Sequence, residues 1–170
     1  MNQFGYGTVW SRLAMGVVFA GMLSASGIAL GQSLKEQIVG TWRLVSIYNE
    51  DKGVKANNFG DKPVGLLMFD RSGNVSQLLS KPGLSNFAVP NRLKGTDKEY
   101  RDVMQGMIAG FGTYTVDGDT VTITWVASSY PNRVGAVEKR TYKIVGEELS
   151  SMNPTASSGG ISYAKYVRAK

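Results

Sequence analysis

Two residues of opposite charge, Glu138 and Arg140, lie two positions apart in the segment VEKRTYKIV. In an extended strand such residues point to the same face, and here that face also carries Tyr142 and Ile144, which favour a protein core. Burying a charge is costly unless the charge is paired. Inward-pointing Glu138 and Arg140 would therefore form a structural ion pair or bind a polar group of a ligand. If the other face of the strand were inside, both charges would be solvated and neither role would apply.

The sequence of 170 residues contains no histidine and no cysteine. This composition excludes Ser-His-Asp and Cys-His catalytic sites, histidine-based metal sites, disulfides and lipid attachment to an amino-terminal cysteine. No metal site and no cofactor are predicted. An enzyme of this composition would have to rely on other side chains, with Glu138 as acid or base and Arg140 or Tyr166 stabilising an anion.

The formal net charge of +6 comes from lysine and arginine residues that are scattered along the chain. Nucleic-acid-binding proteins usually concentrate such residues in one block or along one helix. No nucleic-acid partner is therefore predicted.

The first 31 residues have the layout of a secretory signal peptide. Arg12 precedes an apolar run, residues 13–23, and small residues follow as far as Gly31. The run ends at Ser24, short of the ~20 residues that a membrane-spanning helix needs. Cleavage after Gly31 is therefore predicted, with an uncleaved anchor as the alternative. The mature chain, residues 32–170, would be one domain, periplasmic or secreted, without a stable membrane span.

Turn residues divide the mature chain into eight segments of strand character. Short turns at residues 70–74, 117–119 and 145–148 are typical of hairpins, so most neighbouring strands should be antiparallel. Eight antiparallel strands joined in sequence predict an all-β fold, a closed up-and-down barrel without exposed sheet edges. The predicted strands span residues 38–49, 64–70, 74–80, 111–116, 120–127, 134–144, 148–152 and 161–167.

One helix is predicted to interrupt the strands. Thr96 and Glu99 have the spacing of a capping box, and apolar residues follow at helical spacing, which predicts a helix over residues 97–109. The loop before it, residues 81–95, is long for a compact domain. The loop and helix would cover one end of the barrel as a lid or plug, or would merely fill a gap in the sheet.

Trp42 lies near the start of the first predicted strand, and Arg168 directly follows the last. Because these two strands pair in a closed barrel, the guanidinium of Arg168 should stack on the Trp42 ring, a contact worth about 0.5–2 kcal/mol. Gly40 would let the chain pass close beneath the ring. These three residues are predicted to close one end of the barrel.

Strand alternation and the helical stripe assign further side chains to the interior. In the strand at residues 120–127, Val121, Ile123 and Trp125 share a face opposite a row of threonines. Eight-stranded barrels either hold one small ligand or are filled by side chains, so the same residues could instead form a core. The predicted ligand contacts are Met68, Phe69, Met104, Met107, Phe111, Trp125, Tyr130, Glu138, Arg140 and Tyr166.

Gly-x-Trp in the first strand with an arginine at the last resembles the arrangement found in lipocalins. With the segments at residues 63–79, 111–122 and 128–150, nearly all of the mature chain resembles the bacterial and fungal lipocalin-like domain family. The resemblance implies an eight-stranded barrel with a helix and a small-molecule cavity. Histidines that are common in this family before the PN-x-x-G turn are absent here, where the chain reads TITWVASSYPN. Any chemistry that those histidines serve would be lost.

The favoured function is an exported lipocalin-like protein that binds a small apolar or amphipathic molecule inside the barrel. One alternative is a cyclase or isomerase that acts on a bound hydrophobic substrate. The other is a pocketless interaction protein of the cell envelope, which an interior without free volume would favour.

Overall fold

A computed structural model describes residues 1–2 and 33–170. The predicted signal peptide, residues 1–31, lies outside the described residues apart from its first two, so its cleavage stays a prediction. None of the helices in the described part of the chain has the length and the apolar character of a membrane span.

The described chain consists mainly of antiparallel strands. A short helix α1 comes first, a second helix α2 separates the fourth and fifth strands, and a 3₁₀ turn separates the sixth and seventh. In order, the elements are α1 Leu34–Gln37, β1 Gly40–Asp51, β2 Val54–Ala56, β3 Val64–Phe69, β4 Asn74–Ser80, α2 Asp97–Gly106, β5 Met107–Asp117, β6 Thr120–Ser128, the 3₁₀ turn Pro131–Arg133, β7 Val137–Val145, β8 Glu148–Asn153 and β9 Ile161–Arg168.

Eight of these strands form a closed ring. Each of β3 to β9 pairs antiparallel with its neighbour in sequence, and β1 pairs with both β3 and β9. The register of the closing pair runs from Trp42 opposite Arg168 to Glu50 opposite Ile161. Among the described strands, the extra strand β2 pairs only with the end of β1 and lies outside the ring. The predicted eight-stranded antiparallel barrel is confirmed.

The helix is shorter than predicted, because α2 ends at Gly106 and β5 begins at Met107 rather than at Phe111. Met107 already has an extended backbone and lies opposite Ser80 of β4, and Ile108 lies opposite Leu79. Pairing with the edge of β4 satisfies the backbone of this segment in place of helical hydrogen bonds. A helical stripe therefore cannot describe the side chains beyond Gly106.

One end of the barrel is filled by side chains. Phe69 packs edge-on against Tyr114 and Tyr142, with ring centroids 4.8 Å and 5.8 Å away. Such aromatic contacts fill the space that a ligand would otherwise occupy. The buried core includes Trp42, Leu44, Leu67, Phe69, Val75, Tyr114, Val121, Ile123, Tyr142, Leu149 and Tyr166.

The same end is closed by Trp42 and Arg168. The guanidinium carbon of Arg168 lies 4.2 Å from the centre of the Trp42 ring, and the ring nitrogen donates to the carbonyl of Ile38 at 2.7 Å. Arg168 also donates to the carbonyl of Val39 at 3.2 Å. Gly40 has a φ of +133°, and a Cβ there would lie 2.9 Å from Nη1 of Arg168. A larger residue at position 40 would thus disturb both the backbone and the arginine.

Candidate functional site

A cavity of about 670 Å³ occupies the other end of the barrel. It is lined by Ile47 and Asn49 near the end of β1, and by Ser162 and Ala164 near the start of β9. Trp42 and Arg168 lie at the opposite ends of the same two strands. The volume falls within the range of about 300–1,000 Å³ that is typical of small-molecule pockets.

Three charged residues form a buried cluster in the cavity wall, which we call the arginine–glutamate cluster: Arg133, Glu138 and Arg140. Oε1 of Glu138 lies 2.9 Å from Nε of Arg133, and Oε2 lies 3.0 Å from Nε and 2.5 Å from Nη2 of Arg140. All three residues are buried, and Arg140 is only 6% exposed. The inward direction expected for Glu138 and Arg140 is confirmed. The cluster carries two positive charges and one negative charge.

Gln77 of β4 extends this cluster across the cavity. Nη1 of Arg140 donates to Oε1 of Gln77 at 3.1 Å, and Gln77 is itself buried. Because the amide oxygen of Gln77 already accepts this hydrogen bond, its amide nitrogen can donate to a group in the cavity. The contact links β7 to β4 and gives this part of the cavity wall several N–H donors.

Arg133 and Gln77 are polar cavity-lining residues that the sequence analysis did not predict. The strand was expected to start at residue 134, whereas Pro131–Arg133 form a 3₁₀ turn to which strand alternation does not apply. The guanidinium carbon of Arg133 lies 3.8 Å from the centre of the Trp125 ring. For Arg133, the signal that could have been used is an arginine five residues before the inward-pointing Glu138.

Ionisation within the cluster is set by two opposing effects. Burial alone would raise the pKa of the Glu138 carboxyl, but the charges and hydrogen bonds of Arg140 and Arg133 outweigh it and hold this pKa below its ordinary value. Burial alone would lower the guanidinium pKa of Arg140, but electrostatic interactions with Tyr142 and Glu138 outweigh it and raise this pKa. Glu138 is therefore ionised at neutral pH, with both oxygens accepting hydrogen bonds.

Apolar side chains line another wall of the cavity, at the ends of β4 and α2 and the start of β5. Leu79, Met104, Met107 and Ile108 contribute to it. Helix α2 is held by its capping box, in which Thr96 N–H donates to Glu99 at 2.6 Å. The other oxygen of Glu99 accepts from Ala88 N–H at 2.6 Å, so the preceding loop is tied to the helix. The wall offers flexible methionine side chains to the cavity.

Uncharged polar groups surround the part of the mouth formed by β1, β8 and β9. Asn49, 5% exposed, donates to the hydroxyl of Ser158 and to the carbonyl of Gly159, both at 2.9 Å. Asn153 accepts from Thr155 N–H at 3.1 Å. The cavity thus combines a charged, an apolar and an uncharged polar region.

The structure brings six of the ten predicted contact residues together around the cavity. Trp125 is buried but lies beneath the guanidinium of Arg133, and Phe69 belongs to the packed end. The cavity-lining residues among the ten are Met104, Met107, Tyr130, Glu138, Arg140 and Tyr166.

The positions expected for Met68 and Phe111 are corrected, because both point outward and are 41% and 54% exposed. Met68 and Phe69 are consecutive in β3, so only one of them can face the interior. Phe111 was expected inside because it continues the apolar spacing of the predicted helix, but it lies in β5, where the alternation buries Gly112 and Tyr114 instead.

A closed eight-stranded antiparallel barrel, packed at one end and hollow at the other, defines a barrel of the lipocalin type. The model of the lipocalin-like domain family matches residues 39–163, and the chain belongs to this family. Among curated proteins, no sequence matches the chain.

Solved structures with a similar chain course include an uncharacterized protein from Bacteroides eggerthii DSM 20697. It is 15% identical, with 76% of this chain and 98% of that chain covered and a TM-score of 0.38. Two variants of the fluorescent protein UnaG are 12% and 13% identical. They cover 79% of this chain and 98% and 97% of their own, each with a TM-score of 0.37.

Proposed function

We propose that the barrel binds one small amphipathic molecule in the cavity at its open end. The observation that carries this proposal is the free volume of about 670 Å³ between a charged cluster and an apolar wall. Apolar ligand surface would be buried against Leu79 and Ile108, and polar ligand groups would face the cluster. A free volume of this size argues against the pocketless alternative.

The state of Glu138 argues against the cyclase or isomerase alternative. A general acid or base works best when its pKa lies near the operating pH. Here the two arginines hold the pKa of Glu138 below its ordinary value, and four hydrogen bonds from their guanidinium groups occupy its oxygens. Proton transfer by Glu138 would require this pairing to be broken, so we favour binding over catalysis.

Export of the mature chain, residues 32–170, to the periplasm or the medium is part of the proposal. It is supported by the order of Arg12, the apolar run and the small residues before Gly31.

We also propose that loop 81–95 and α2 act as a lid over the cavity, since Met104 and Gln105 of α2 are among its lining residues.

Native mass spectrometry tests the proposal on the mature chain purified without detergent from the envelope or medium of its own cells. We expect a stoichiometric compound of low molecular mass to accompany the protein. In the variant Leu79→Trp the indole fills the cavity, so the protein should be purified without the compound. Leu78→Trp, one residue away on the outer face, should retain the compound.

Circular dichroism would establish that both variants are folded. A wild-type protein that is bare, and whose tryptophan fluorescence does not respond to lipids or aromatic compounds, would contradict the proposal. If both variants retained the compound, it would have to be bound outside the cavity.

A further inference from the structure

We infer that the bound molecule is a monoanionic acid, and that its anionic group lies against Arg140 and Gln77. This inference rests on the proposed function and specifies the class of ligand. It predicts that acids are preferred over neutral molecules of the same shape.

The charge of the arginine–glutamate cluster supports this assignment. Arg133 and Arg140 share a single carboxylate, that of Glu138, and all three side chains are at most 10% exposed. Arginine stays protonated in proteins, so one positive charge is left without a partner inside the cluster. An unpaired buried charge is costly, and a ligand with one negative charge would remove this cost, whereas a neutral ligand would not. Lys81, which also lines the cavity, would likewise favour a negatively charged ligand.

The hydrogen-bonding groups support it independently. Three N–H groups of Arg140 donate, two to Glu138 and one to Gln77, out of the five that a guanidinium carries. Since Oε1 of Gln77 accepts from Arg140, its amide nitrogen is a donor. A carboxylate only accepts hydrogen bonds, and its bonds to charged donors are the stronger kind. The donors of this region therefore match a carboxylate better than a hydroxyl or an amine.

The apolar wall restricts the rest of the molecule. Leu79, Met107 and Ile108 line the same cavity, whose volume far exceeds that of a carboxylate group alone. Burial of these side chains against hydrocarbon is favourable. The ligand class that fits all three observations is an amphipathic monocarboxylic acid rather than a small inorganic anion.

Isothermal titration calorimetry of the delipidated mature chain tests the inference with two matched pairs of probes. The pairs are dodecanoate with dodecanamide, and 1-pyrenebutyrate with 1-pyrenebutanol. Because hydrogen bonds to a charged group contribute more than neutral ones, each acid should bind roughly ten- to a hundredfold more tightly than its neutral partner. Equal affinities within the pairs would overturn the inference and leave the proposed function standing. Binding of none of the four probes would count against both.

The variant Gln77→Glu tests where the anionic group lies. It places a carboxylate of nearly the same shape beside Arg140, so the fold keeps its ion pairs while the excess positive charge is neutralised. We expect the acids to lose at least about tenfold in affinity and the neutral probes to keep theirs. Gln105→Glu, which adds the same charge on α2 at the mouth, should weaken the acids much less. Unchanged binding of the acids to Gln77→Glu, or an equal loss in both variants, would overturn the placement.

Discussion

At Glu138 a single carboxylate lies between two guanidinium groups, with Arg133 at 2.9 Å and Arg140 at 2.5 Å. The three side chains depend on one another, because removing the carboxylate leaves two buried cations close together. Buried ion pairs add little net stability compared with apolar residues, but breaking one is costly. The cluster is therefore sensitive to the loss of its one anion.

Replacement of Glu138 by glutamine should lower the free energy of unfolding by about 3–5 kcal/mol, since both arginines stay buried without a counter-charge. Urea denaturation followed by circular dichroism measures this change. Glu148→Gln is the matched control, because its contact with Lys165 at 3.3 Å is exposed and should contribute less than about 1 kcal/mol. Equal effects of the two substitutions would contradict the buried, shared carboxylate.

The pH dependence of stability should also report on Glu138. Its folded-state pKa lies below the ordinary value of 4.5, so its contribution is fully present above pH 4.5 and is lost as the pH falls through the folded pKa. Unfolding measured between pH 7 and pH 3 should show the gap between wild type and Glu138→Gln narrowing on the acid side. Asp70 and Glu99 also have lowered pKa values, but both are present in the variant and do not affect this gap. A gap independent of pH would contradict the assignment.

Strand elements could be predicted from the sequence where alternation is regular. In β7 the alternation placed Glu138, Arg140 and Tyr142 inside, as the structure has them. Alternation failed where the backbone is not an extended strand. Neither the 3₁₀ turn that contains Arg133 nor the end of α2 has a side-chain period of two. Helix α2 ends at Gly106 because the chain that follows pairs with β4, which lies far away in sequence. Local pattern alone cannot supply that information.

Helix α2 should depend on its capping box. Thr96→Ala removes the side-chain oxygen that accepts from Glu99 N–H, which typically costs about 1 kcal/mol. Amide hydrogen exchange in residues 97–106 should become roughly fivefold faster, while exchange in the strands of the barrel stays the same. Thr96→Ser keeps the hydroxyl and should behave like wild type. Faster exchange throughout the barrel would show that α2 is not an independent unit of stability.

The barrel as a whole is held together at its closed end by Arg168. Arg168→Met removes the stacking on Trp42 and the charged hydrogen bonds to Gln37 and Val39, so the free energy of unfolding should fall by about 2–4 kcal/mol. Thermal or urea unfolding measures the loss. Lys165→Met, an exposed position of the same strand, should change stability by less than about 1 kcal/mol. A small effect of Arg168→Met would show that the pairing of β1 with β9 does not depend on the contacts of Arg168.

The pairing of β1 with β9 also fixes the order in which the chain can complete its fold. The ring stays open until the last strand has been synthesised, since Ile161–Arg168 form the partner of β1. Contacts between the two ends of a domain are slow to form, and folding times of milliseconds to seconds are typical of such topologies. Until then the edges of β1 and β8 offer unpaired backbone groups to other chains. A chain that ends before Ile161 should therefore aggregate rather than fold into a smaller barrel.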